Sequence, residues 1–256
     1  MLPHKVWLST LITLLLLVSP SPALARESTT PPSDDRGPLS KVTFIHYRNT
    51  HTPPILPMNS LNFAKPGGTR DNSSCYGFIA SGARWKQTEN FLVNPSNSEG
   101  ISSSYVYDTF VQATNLWDNQ VSFDVFGNAS EDSSATFDFN STDNRNVALF
   151  GSYPDPDVIA VTNVWGYFYG NPKTRELVEW DMLVNDAFTW GIWELTPTAM
   201  DLSNIVTHEL GHSAGLADIY NTVCTPVTMY GYASEGETNK RTLESPDITG
   251  IRKLYP

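Results

Sequence analysis

The chain has 256 residues and a formal net charge of −11. That balance argues against nucleic acid, whose phosphates attract Lys and Arg, and against anionic membrane surfaces; it favours solubility and says little about fold. The length is enough for one domain with a sizeable core.

The N-terminus reads as a leader. Lys5 precedes an apolar run from Leu8 to Val18, broken by Pro20 and Pro22 and followed by Ala23-Leu24-Ala25, an A-x-A-like cleavage site. This predicts a secretory signal peptide over residues 1–25. A membrane anchor is the alternative, but the run falls short of the ~20 apolar residues a span needs. The mature protein is therefore expected to be exported, without stable membrane insertion, and monomeric. Residues 26–41, rich in Ser, Thr, Pro and Asp, read as a flexible lead-in. Lys41 to Tyr47 has the composition of a strand, and prolines and paired glycines break up the stretch after it. Residues 26–75 are read together as an N-terminal extension or short propeptide, and residues 76–256 as the main domain.

Farther along, Ser102 to Asp118 reads as a helix with Val106, Phe110, Ala113 and Trp117 in one apolar stripe. Phe123, Val125 and Phe137 to Phe139 alternate like strands. Val158 to Tyr169 is β-branched and aromatic and reads as another. Asp201-Leu202-Ser203 has the residues that cap a helix. A last helix opens at Ser245-Pro246-Asp247-Ile248, and Ile248, Ile251, Leu254 and Tyr255 form its buried face.

The chemistry concentrates in His208-Glu209-Leu210-Gly211-His212-Ser213-Ala214-Gly215-Leu216-Ala217-Asp218, an HExxHxxGxxD pattern. Two histidines four apart share one face of a helix and together can bind a Zn²⁺ ion. Glu209 between them is placed to take a proton from a water that the metal activates. Gly215 lets the chain leave the helix, bringing Asp218 back as a third ligand. Three protein ligands and an open position suit a catalytic zinc rather than a structural one.

The pattern resembles that of the metzincin zinc endopeptidases, with Asp at the last position as in the snapalysin variant. Downstream, Met229 followed by Tyr230 resembles the Met-turn of matrixins, although Gly231 stands where proline is usual. From Trp85 onward the chain resembles a matrixin catalytic domain. Arg84 to Asn94 corresponds to its first strand and Val178 to Asn185 to the strand before the active helix. The implied fold is α/β (α+β): a twisted mixed sheet, an active-site helix, a Met-turn and a C-terminal helix. The implied function is a secreted endopeptidase acting on protein or peptide substrates with one catalytic Zn²⁺. Its ligands are His208, His212 and Asp218, and its general base is Glu209. Substrate would lie extended beside an edge strand, which the resemblance puts within Val158 to Tyr169. Two further readings remain: an exported binding module whose zinc only stabilises the fold, against which the retained Glu209 argues, and another zinc hydrolase such as an exopeptidase.

Matrixins also hold a structural zinc with several histidines; only His46 and His51 lie outside the motif in the mature chain, and both are read as bystanders. Calcium has no support beyond the resemblance, because Glu131-Asp132 and Asp155-Pro156-Asp157 lack a ligand spacing. Cys75 and Cys224 read as one disulfide, closing a loop worth about 5 kcal/mol in the chain-entropy account. The rival is a cysteine switch with Cys75 on the metal, although the matrixin PRCGxPD surroundings are missing. Asn72, Asn128 and Asn140 head glycosylation sequons.

Overall fold

A computed structural model describes residues 36–49, 75–192 and 194–256. The leader at 1–25, His51 and the sequon at Asn72 lie outside the described residues. Among the described residues, nine strands and three α-helices run in chain order: β1 (Ser40–Arg48), β2 (Glu89–Asn94), α1 (Ser103–Asp118), β3 (Phe126–Glu131), β4 (Asn146–Gly151), β5 (Val158–Tyr167), β6 (Glu176–Asn185), β7 (Trp190–Gly191), β8 (Met200–Asp201), α2 (Leu202–Ser213), β9 (Tyr232–Ala233) and α3 (Ser245–Leu254). Seven strands form one sheet in the order β3-β2-β4-β6-β5-β1-β9. Pairing is parallel from β3 to β6, antiparallel where β5 meets β6 and β1, and parallel again between β1 and β9. The expected twisted mixed α/β arrangement is what the chain adopts.

The helices form where capping and periodicity agree. Ser102 caps α1 by accepting from the Tyr105 N–H, and the stripe Val106, Phe110, Ala113 and Trp117 is buried, as its spacing requires. Trp117 then donates its indole N–H to the Thr207 carbonyl at 3.0 Å, tying α1 to α2. At the C-terminal end of α2, the Trp85 indole donates to the Ser213 carbonyl at 2.8 Å and the Tyr255 hydroxyl to the Ala214 carbonyl at 2.9 Å. Bonds from large aromatic side chains to backbone carbonyls hold the helix at its middle and its C-terminal end, and those at the end satisfy groups its last turn leaves unpaired.

Several expectations need correction. Phe123 to Val125 and Phe137 to Phe139 are not strands; β3 starts at Phe126, one residue beyond the alternating stretch, and β4 has no counterpart among the expected strands. The strand expected over Arg84 to Asn94 is only β2, with Arg84 forming a single bridge to Glu176. The cap of α3 is Glu244, one residue earlier than expected, in a reciprocal box with Asp247. Most consequentially, β5 is not an edge. It pairs on one side with β6 and on the other with β1, and all but its last residue are buried. A strand covered on both faces reads as a near-continuous apolar run, which is what Val158 to Trp165 shows. The alternation that would mark an exposed edge is missing.

Candidate metal centre

Helix α2 carries the two histidines and ends where expected. Ala214 is its C-cap and Gly215 has φ of +104°, in the region that disfavours side chains. The chain then doubles back, and Ile219 bridges to Tyr230. That return carries Asp218 under the helix face.

Each imidazole is oriented by a backbone carbonyl. Nδ1 of His208 donates to the Thr228 carbonyl at 2.7 Å, and Nδ1 of His212 to the Leu216 carbonyl at 3.0 Å. These bonds fix the tautomer and leave both Nε2 atoms free to ligate. The two Nε2 atoms lie 3.2 Å apart, and each lies 3.3 Å from Oδ1 of Asp218. Ligand atoms each about 2.0–2.1 Å from a shared tetrahedral centre stand about 3.3–3.4 Å from one another. The triangle therefore has the size of one face of a zinc tetrahedron. Oδ1 of Asp218 is buried with no hydrogen-bond donor of its own, while Oδ2 accepts from the Tyr220 hydroxyl at 3.0 Å. A buried carboxylate oxygen left without a donor is costly; a cation there removes the cost. The residues present fit zinc.

Electrostatics agree. Burial opposes a charge on Asp218, but the two imidazoles outweigh it and hold the carboxyl well below the usual range. Burial, followed by the neighbouring His46, pushes His208 down to about 4, so that it is neutral as a ligand must be. Glu209 is fully buried, and burial raises its pKa against the pull of both histidines. The Thr162 hydroxyl on β5 donates to its Oε2 at 2.6 Å. A carboxylate beside the triangle with a raised pKa suits proton transfer.

Met229 sits beneath this arrangement. A β-carbon on Gly211 would collide with its sulfur and with the Trp117 ring. The glycine between Leu210 and His212 therefore lets α2 settle onto Met229, which is buried, while Tyr230 is half-exposed. Asp247, at the start of α3, accepts from the Thr228 and Met229 N–H groups at 2.8 and 3.2 Å and shapes the turn.

Residues 84–256 match the matrixin family of peptidases. The chain belongs to the matrixin family. It is also 28% identical over 179 residues to a protein described as hatching enzyme from Paracentrotus lividus, an alignment covering 70% of this chain and 27% of that one. The chain thus spans about a quarter of that relative's length.

The matrixin motif residues come together as their spacing suggests; three of their neighbours carry no sign in the sequence. His46 on β1 reads there as a bystander, yet its Nδ1 lies 2.9 Å from Oε1 of Glu209 and its ring 4.1 Å from that of His208. Phe44, two residues earlier on the same strand, stacks on His212 at 3.7 Å and 7°. Thr162 holds the other oxygen of Glu209. No short-range pattern announces any of them, because each arrives by pairing across the sheet.

The two cysteines form the disulfide Cys75–Cys224, leaving no free thiol for a switch. Asn128 and Asn140 are exposed. A second acidic group is not where the sequence points: Asp138 converges with Glu179 and Asp181 of β6, whereas Glu131, Asp132, Asp155 and Asp157 form no such group. A cavity of about 490 Å³ opens beyond the Met-turn, with Tyr230, Tyr232 and Glu237 in its walls.

Proposed function

We propose that this matrixin is an exported, zinc-dependent endopeptidase that cleaves protein or peptide substrates. The observation that carries this reading is the triangle of His208 Nε2, His212 Nε2 and the donorless Oδ1 of Asp218, with Glu209 beside it. The fourth, open direction of such a set is where a substrate carbonyl and a water meet. A zinc ion held there supplies Lewis acidity, polarising the scissile carbonyl and making water easier to deprotonate.

The protein's own residues do the rest. Thr162 keeps Glu209 pointed at the site through Oε2, and Oε1, which His46 contacts in the intact chain, is the oxygen that would accept the water proton once that contact is vacated. The raised pKa of Glu209 lets it hold that proton and pass it to the leaving amine nitrogen. The Thr228 and Leu216 carbonyls keep both imidazoles in register as the proton moves. An extended peptide would pair its backbone with β5 on the side that β1 takes in this chain. The N-terminal leader is read as a signal peptide removed after Ala25; among the described residues no helix is long and apolar enough to cross a membrane.

The test is cleavage of unfolded casein by the full-length protein, with metal content measured in parallel. Stripping the metal with a chelator should abolish cleavage, and one equivalent of Zn²⁺ should restore it. Undiminished cleavage by metal-free protein would sink the reading.

A further inference from the structure

The strand that a substrate needs beside β5 is already there, and it belongs to this chain. β1 pairs with β5 from Ser40 opposite Gly166 to Tyr47 opposite Val158, in unbroken register as far as His46. Its far edge pairs with β9, just beyond the Met-turn: Tyr47 opposite Tyr232 and Arg48 opposite Ala233. β1 therefore lies between β5 and the Met-turn segment, threaded past the metal ligands as an extended peptide would be. Alternation puts Val42, Phe44 and His46 on one face. Phe44, opposite Thr162, covers the His212 ring, and His46 puts Nδ1 on the Glu209 carboxylate. His46 is almost fully buried, its ring set against the base and beside that of His208.

The ends of the strand are clamped. Arg36 pairs with Glu176 at 2.7 Å, and Arg48 pairs with Asp157 at 2.6 Å and with Glu235 at 3.0 Å. These groups belong to β6, to the loop before β5 and to the loop after β9. The chain beyond Cys75 is anchored independently by its disulfide to Cys224. A cut between Arg48 and Cys75 would therefore free β1 from covalent attachment without loosening the rest.

We propose that Ser40–Arg48 is a built-in pseudo-substrate. It fills the peptide track with its backbone, caps His212 with Phe44 and occupies the general base with His46, so the intact chain is latent. Activation requires that the strand be released, by hydrolysis of a peptide bond between Arg48 and Cys75 by another peptidase and dissociation of the strand. The block does not use a cysteine, since both are in the disulfide. Latency as the consequence rests on the peptidase reading, whereas occupancy of the track rests on strand pairing alone.

The two can be tested apart. A recognition sequence for a sequence-specific protease is placed between residues 50 and 74 of the full-length protein. Intact and cut forms, at nanomolar concentration and loaded with zinc, are compared in two assays: binding of a fluorescent peptide hydroxamate, which needs an open groove but no catalysis, and cleavage of casein. A tethered strand at an effective concentration near ~1 mM, binding with an intrinsic Kd of ~10 µM, hides the groove about 100-fold. Cutting should raise hydroxamate affinity by about that factor, and a synthetic peptide of residues 40–48 should reverse the gain while a scrambled one does not. Intact Phe44→Ala/His46→Ala should show part of the gain without cutting. If hydroxamate binding rises but neither form cleaves casein, the pseudo-substrate stands and the peptidase reading falls. Equal hydroxamate affinity of the intact, cut and doubly substituted forms would overturn the proposal.

Discussion

Among the described residues, two clusters of ligand-type side chains can be compared, and their difference separates a candidate metal centre from a structural nest. At the α2 site, two imidazoles are aimed by backbone carbonyls at one point, and a carboxylate oxygen of Asp218 is buried there without a donor. At Asp138, Glu179 and Asp181 the carboxylate oxygens also lie within 4.8 Å of one another. There, however, both oxygens of Glu179 accept backbone N–H bonds from Asp143 and Asn144, and both oxygens of Asp181 accept from Asp138 and Val147. Burial pushes Asp181 up to about 8 despite these bonds, so the nest favours its neutral acid. Proximity of acids alone does not make a metal site; an unmet acceptor among oriented donors does.

The contrast can be broken at its functional end first. Glu209→Gln keeps the three donors and removes the base. It should retain zinc and lose casein cleavage by roughly 10²–10⁴-fold in the activated protein, measured alongside metal content. Cleavage close to the unsubstituted rate in a zinc-loaded variant would mean that another group moves the proton.

Next comes the donor triangle. Asp218→Ala removes a direct ligand, so zinc affinity should fall by more than the ~10–100-fold seen when outer-shell partners are lost. Asp218→His should recover most of it. Competition with a chromophoric chelator reads both, and an unchanged affinity in Asp218→Ala would place the third ligand elsewhere.

The nest should respond in the opposite sense. Glu179→Gln turns an acceptor into an amide that faces a backbone N–H, costing about 1–3 kcal/mol of stability with zinc stoichiometry and affinity unchanged. Denaturant midpoints and metal titration on the same sample distinguish the two outcomes. A loss of bound metal in Glu179→Gln would erase the distinction between the clusters.

The smallest effect sharpens the nest idea at a single residue. Oδ1 of Asp118 accepts from both Val125 and Phe126 N–H groups at 2.8 and 3.3 Å, while burial raises its pKa from 3.8 to about 6. A raised folded-state value means that the native protein holds the proton more tightly than the unfolded chain. This contribution to stability is present below about pH 4 and is lost as pH climbs towards 6. Asp118→Asn keeps both acceptor bonds and cannot ionise. It should remove that slope and stabilise the protein at pH 7 by less than ~1 kcal/mol, since solvent screens a half-exposed group. An unchanged slope of melting temperature between pH 4 and 6 would assign the titration to other carboxylates.

What the sequence determined by itself was everything set within about one helix turn or one hairpin of its own position. The four-residue spacing of His208 and His212 fixes a shared face whatever the helix packs against. Gly215 permits the left-handed exit, and Asp218 comes at a distance that can only fold back. The stripe of α1 and the cap of α2 are local in the same way, which is why they match the structure. Phe123 to Val125 fails as a strand because alternation over three residues is also what a loop packing its aromatics shows. Tertiary structure alone decided what closes the groove. The resemblance made β5 an edge; its buried, apolar run argues for a neighbour on each side but does not name it, and that neighbour, β1, is more than 100 residues earlier. His46 carries no local sign of a role; it reaches Glu209 because the register of β1 on β5 sets its face inward, and a slip of one residue would turn it away. The donors were thus written in a short motif, while the strand that covers them was decided by pairing that only the folded sheet specifies.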